Sequence, residues 1–187
     1  MSRNLIITGT DTGVGKTIVT AALARALTAR GTVPALRKPF ASGVAPSCTF
    51  RDDDGLLLQA ATGGESLEVI RPEPFQAPLA PLSSARLEGR PAQTTARLES
   101  LLQSMKQNQI TLVEGVGGAA VPIDDGLLFS DFARMLGAPA LVVARSALGT
   151  VNHTLLTVEH LRNRGIEVAG VVFVRNTCGA LSLAEET

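Results

Sequence analysis

Short, unbroken apolar runs alternate along this chain with longer stretches in which apolar residues recur every three or four positions. The runs are 4–8 (NLIIT), 33–37 (VPALR), 110–115 (ITLVEG), 138–144 (APALVVA) and 168–174 (VAGVVFV). Each is too short for a helix and reads as a strand. The longer stretches predict helices over 17–30, 53–62, 94–107, 130–136 and 152–164, with Gly31 stopping the first, acidic residues opening the second and Ser130 capping the fourth. Residues 63–91 carry Pro72, Pro74, Pro78, Pro81 and Pro91 and predict mostly loop, with a short helix near 83–88.

Continuous apolar strands are the mark of parallel strands buried on both faces, whereas a sheet with one wet face alternates apolar and polar. Strand–helix alternation then predicts an α/β fold, a single-domain, doubly wound, mostly parallel sheet with right-handed crossovers, spanning 1–187. At 187 residues the chain is long enough for a substantial core. Seventeen basic residues balance seventeen acidic ones, which argues against a nucleic-acid partner bound through a basic face. Trp and Tyr are absent, and with them the usual platforms for stacking bases. No apolar run approaches the roughly 18 residues of a membrane span, and the N-terminus does not read as a signal peptide. Cys48 and Cys178 lack metal-ligand spacing and read as reduced thiols of a cytoplasmic protein.

In an open parallel sheet, ligands bind beyond the carboxyl ends of the strands. Four groups follow strand ends here: Gly9–Thr17, Lys38–Gly43, Glu114–Gly118 and Gly149–His153. The first, within TGTDTGVGKT (8–17), is almost a phosphate-binding loop, but five residues rather than four separate Gly9 from Gly15. An ordinary strand–helix turn leaves the Lys16-Thr17 pair at a helix start unexplained, because a cation there opposes the helix dipole unless an anion sits nearby. Backbone N–H groups from Gly13 to Thr17 are placed to cradle phosphate oxygens, Lys16 to neutralise the outer phosphates, and Thr17 to offer a hydroxyl to Mg²⁺. Magnesium needs one or two carboxylates besides. Glu114 is the first candidate and Asp54 the next, with Asp52 and Asp53 as rivals; a solvated helix start is the alternative for these aspartates. Lys38, unless it is merely an exposed strand-end lysine, puts a second positive charge beside a transferring phosphoryl group.

TGTDTGVGKT, KPFASG (38–43), VEGVGG (113–118) and GTVNH (149–153) resemble, in that order, the dethiobiotin synthetase family, and EGRP (88–91) adds to the likeness. The resemblance runs from residue 4 to about 172. It implies an ATP- and Mg²⁺-dependent ligase that closes the ureido ring of dethiobiotin from 7,8-diaminopelargonate and CO₂. By residue-wise carry-over, Gly9, Gly13, Val14, Gly15, Lys16, Thr17 and Ile18 hold the nucleotide, with Asp54, Glu114, Gly115, Val116, Gly117 and Asn176. Thr17, Asp54 and Glu114 serve Mg²⁺. Lys16, Lys38, Thr12 and Ser42 carry the chemistry. Thr12, Lys38, Ser42 and Gly118 meet the substrate. Gly149, Thr150, Val151 and Asn152 form a helix start that, in the family, a partner subunit offers to the substrate carboxylate, so a homodimer is implied. His153 reads as a structural helix-start residue and His160 as surface or packing.

The chain departs from the family in two places. Gly13 stands where some relatives carry an acidic residue. The base-recognition segment after the fifth strand is displaced or missing, with Asn176 slightly late, so discrimination among ATP, CTP and GTP is expected to be about tenfold or less. Two rival readings are weaker. A cobyrinate-type amide ligase would add a glutamine-hydrolysing domain. A partitioning or septum-placement ATPase would carry a second lysine five residues before Lys16, where Asp11 stands.

Overall fold

The computed structural model describes residues 4–44, 53–63, 65–91, 95–105 and 109–175. Asp52, Asn176 and both cysteines lie outside the described residues. Five parallel strands form the central sheet: β1 (Asn4–Gly9), β2 (Ala35–Arg37), β5 (Thr111–Glu114), β8 (Ala140–Arg145) and β9 (Val168–Val174), in the order β2-β5-β1-β8-β9. Two small pairs flank it: β3 (Phe40–Ala41) with β4 (Glu73–Pro74), and the antiparallel β6 (Pro122–Asp124) with β7 (Leu127–Leu128).

Neighbouring strand residues serve opposite faces, which is why the apolar runs are continuous. Ile6, Val113 and Val142 join one core; Ile7, Leu112 and Val143 join the other. The second core is covered by α1 (Lys16–Ala29) and α2 (Asp54–Thr62). The first is covered by α5 (Thr95–Met105), α6 (Phe129–Leu136) and α7 (Thr150–Asn163). Each fully buried Ile, Leu or Phe contributes about 1.5–3 kcal/mol, so both faces hold the sheet. The chain moves from β1 one way across the sheet to β2, and later from β5 to β8 and β9 the other way. That reversal opens a crevice at the carboxyl end of β1, where the phosphate-loop motif lies.

One local expectation needs correction and another needs extending. Ser130 does not cap α6: Leu128 is the N-cap, and its N–H donates to Asp131 Oδ2 at 2.9 Å. Ser130 lies inside the helix, fully buried, and its hydroxyl pairs with His160 Nε2 of α7 at 2.9 Å. In the proline-rich stretch the short helix expected near 83–88 is present as α4 (Pro81–Leu87), with its proline in the first turn, where a missing N–H costs nothing. The stretch also contains α3 (Leu67–Ile70) and β4, which were not expected, because periodicity is blind to elements of four and two residues.

Candidate active site

Gly9 ends β1, and residues 10–15 turn back over it before α1 begins. A Cβ on Gly9 would stand 2.9 Å from Val14 Cγ2 and 3.0 Å from the Asp11 carbonyl oxygen, so the loop closes only over glycine. Gly15, the N-cap of α1, has φ 99°, and a Cβ there would stand 2.9 Å from the Val174 side chain. The end of β9 therefore seats directly against the loop. The extra residue within the motif is accommodated as turn, with no non-glycine residue at positive φ among the described residues.

The buried Lys16 folds back over this loop, its Nζ donating to the Asp11 carbonyl at 2.9 Å. Burial lowers its pKa to about 8, against the pull of Glu114. Thr17 Oγ1 donates to Glu114 Oε1 at 2.8 Å. Lys38, at the end of β2, reaches the same carboxylate: its Nζ lies 2.6 Å from Glu114 Oε1 and 2.5 Å from Asp54 Oδ2. Burial opposes the charged form of Lys38, yet the two carboxylates outweigh it and raise its pKa. Asp54 is pushed the other way: burial resists its ionisation, but Lys38 holds its carboxyl below the usual range. Lys38 is thus charged and buried, not an exposed strand-end lysine.

Several elements fix these groups. The Lys38 N–H donates to the Ile70 carbonyl of α3 at 2.6 Å. Asp53 caps α2, accepting from Gly55 N at 2.8 Å and pairing with Arg71 at 3.2 Å, which distinguishes the two described aspartates: Asp53 is a cap and Asp54 faces the lysine. Glu114, with no exposed surface, ends β5 beside β1. Its Oε2 has no hydrogen-bond partner among the described residues.

A cleft of about 800 Å³ opens above these groups. Of the residues singled out in the sequence, Thr12, Gly13, Gly15, Lys16, Thr17, Ile18, Lys38, Ser42, Asp54, Val116 and Gly117 line it together. Glu114 is not among the lining residues; it holds Thr17 and Lys38, which are. Gly9 and Val14 shape the loop from inside. Gly115 lies against the Phe129 ring, which a Cβ would meet at 2.6 Å. Gly118 approaches the Gly9 and Thr10 carbonyls and lines a neighbouring hollow with Thr12 and His160. Gly149, Thr150, Val151 and Asn152 begin α7 and are absent from the lining of the main cleft. Asn176 lies outside the described residues. Leu57, Pro78, Leu79, Ala80 and Val121 complete the lining and were not anticipated. The signal for 78–80 was present in the EGRP motif, whose connection to that loop is visible only in three dimensions.

A family model described as an AAA domain matches residues 3–180. The ATP-dependent dethiobiotin synthetase BioD of Anaeromyxobacter sp. (strain Fw109-5) is 48% identical over 170 residues, covering 91% of this chain and 75% of that protein. The proteins of the same name from Bacillus velezensis and Methanocaldococcus jannaschii are 40% and 38% identical, covering 91% and 90% of this chain and 72% and 78% of theirs. The chain belongs to the ATP-dependent dethiobiotin synthetase family. Among solved structures, the kinase domain of Escherichia coli tyrosine kinase ETK superposes with a TM-score of 0.55 at 18% identity, over 96% of this chain and 70% of that one. The BceF tyrosine kinase domain gives 0.53 at 16%, over 91% and 68%. These two share the fold alone.

Proposed function

We propose that this chain is a cytoplasmic ATP-dependent ligase that forms dethiobiotin from 7,8-diaminopelargonate and CO₂. The observation that carries the reading is Lys38 bridging Asp54 and Glu114 at the floor of the phosphate-loop cleft. Two buried lysines there suit a phosphoryl transfer in which the protein positions reactants and neutralises charge. The relatives' shared name supports the substrate. One amine of the diamine takes up CO₂ as a carbamate, releasing a proton. The carbamate oxygen attacks the γ-phosphorus of ATP, and ADP leaves. The second amine attacks the carbamoyl carbon, phosphate leaves, and the ureido ring closes. Lys16 and Lys38 flank the transferring group, while Thr12 and Ser42 orient the carbamate. Ile18, Val116 and Gly117 line the cleft for nucleotide and substrate.

The unpaired Glu114 Oε2 fits Mg²⁺. No group of three His, Cys, Asp or Glu side chains suited to a metal occurs among the described residues. Two carboxylates and the Thr17 hydroxyl are nonetheless a sufficient protein share for an ion that keeps several waters. Bound there by Thr17, Asp54 and Glu114, it would neutralise phosphate charge. The testing experiment is ADP release with and without diaminopelargonate and bicarbonate. Release that depends on both, with dethiobiotin as product, is expected; release indifferent to the diamine overturns the reading.

A homodimer completes this proposal. Leu148 (85% exposed), Val151, Leu155 and Leu156 form an apolar stripe at the start of α7, beside the Gly149–Asn152 helix start; Thr150 N–H there donates to the Ala147 carbonyl at 3.1 Å, and the positive end of the helix dipole suits a carboxylate. A second copy seated on the stripe would bring that helix start to its neighbour's cleft. Leu155→Asp is expected to yield monomers in sedimentation and to abolish turnover. An active monomer would remove the partner subunit from the site.

A further inference from the structure

We infer that Glu88 and Arg90 of the EGRP motif are positioning residues that set the diamine-binding wall of the cleft; this rests on the ligase reading above. Neither residue lines the main cleft. Both act on the loop that does. The Glu88 carboxylate accepts from the N–H groups of Gln76, at 2.7 Å, and Ala77, at 3.1 Å. Arg90 forks: Nη1 donates to the Pro74 carbonyl at 2.6 Å and Nη2 to the buried Glu73 carboxylate at 2.5 Å, with the guanidinium 4.2 Å above the Phe75 ring. Ser84, fully buried, adds hydrogen bonds to the Ala77 and Leu79 carbonyls at 3.0 and 3.3 Å.

The opposite edge of the loop is tied to the segment that carries Ser42. Phe75 N donates to the Ala41 carbonyl at 2.7 Å, Gly43 N to Ala77 at 3.2 Å and Val44 N to Phe75 at 2.9 Å. Residues 73–80 are therefore held between the EGRP side chains on one side and residues 41–44 on the other. Pro78, Leu79, Ala80 and Ser42 form one continuous wall of the cleft. The phosphate loop is held by different contacts, within β1, α1 and β9. Loosening the strap should therefore move the wall and leave the phosphate grip in place. Because reactions in such sites depend on placement within about 1 Å, the strap governs how the diamine and its carbamate are held.

The test is steady-state kinetics of Glu88→Ala, Glu88→Gln and Arg90→Lys in the full chain, varying ATP and diaminopelargonate separately, with thermal unfolding as a check on folding. Arg90→Lys keeps a charge for Glu73 but loses the fork. For Glu88→Ala and Arg90→Lys, KM for the diamine is expected to rise about tenfold while KM for ATP stays within about twofold. Glu88→Gln, which retains an acceptor oxygen, should recover most of the difference. Equal changes in both KM values, or none in a folded variant, would overturn the positioning role. An unaltered protein that fails to turn over the diamine sinks the ligase reading first, and this inference with it.

Discussion

Lys38→Ala is expected to lower kcat at least about a hundredfold, in line with the roughly 2.7–4 kcal/mol supplied by a single group stabilising transition-state charge. Lys16→Ala should do the same. The structure separates the two by their effect on stability. Removing Lys38 strands the fully buried Glu114 without its cation, a loss of about 3–5 kcal/mol, so this variant should also melt at a markedly lower temperature. Lys16 is buried against a backbone carbonyl, and burial disfavours its charge. Its removal should cost little stability. With a pKa near 8, Lys16 is charged below that pH and neutral above it. The advantage of the unaltered protein over Lys16→Ala in metal-free nucleotide binding should accordingly shrink as pH rises through 8. Turnover of a folded Lys38→Ala protein close to that of the parent would remove Lys38 from the chemistry.

Glu114→Gln is expected to be the most damaging carboxylate change, with turnover down about a hundredfold and the Mg²⁺ concentration for half-activation raised at least about tenfold. The amide preserves size and one acceptor, which Thr17 and Lys38 claim, but it deprives Lys38 of its main counter-charge and puts an NH₂ group, which cannot ligate a cation, where the unpaired Oε2 stands. Asp54→Asn should be milder. The Asp54 side chain is 53% exposed, against 0% for Glu114, so water can take over part of its role. Activity titrated with Mg²⁺ for the two variants gives the order directly. A titration curve for Glu114→Gln that overlays the parent's would exclude Glu114 as a ligand.

Local pattern and spacing determined much about this protein. Among the described residues, the five core strands and all the helices but α3 follow from apolar runs, periodicity and turn signals, because a parallel strand buried on both faces has to be apolar throughout. The phosphate loop followed from glycines, lysine and threonine between a strand and a helix. Membership of the family was legible in four motifs. What those motifs could not contain is the partnership among residues distant in the chain. Lys38, Asp54 and Glu114 meet only because β2 lies beside β5 and α2 starts above them, so the different roles of Asp53 and Asp54 waited for the fold. Asp53 proved to be the cap, and Asp54 the one that faces Lys38. The wall at 78–80 was hidden for a related reason. Its shape comes from side chains at 84, 88 and 90 gripping backbone between five and sixteen residues earlier, and such contacts leave no periodic trace in sequence. Ser130 looked like a cap because its type and place suited one; the register of α6 was set instead by burial of Phe129 and Phe132. Short-range preference wrote the elements into the chain, and long-range packing decided which charges face one another.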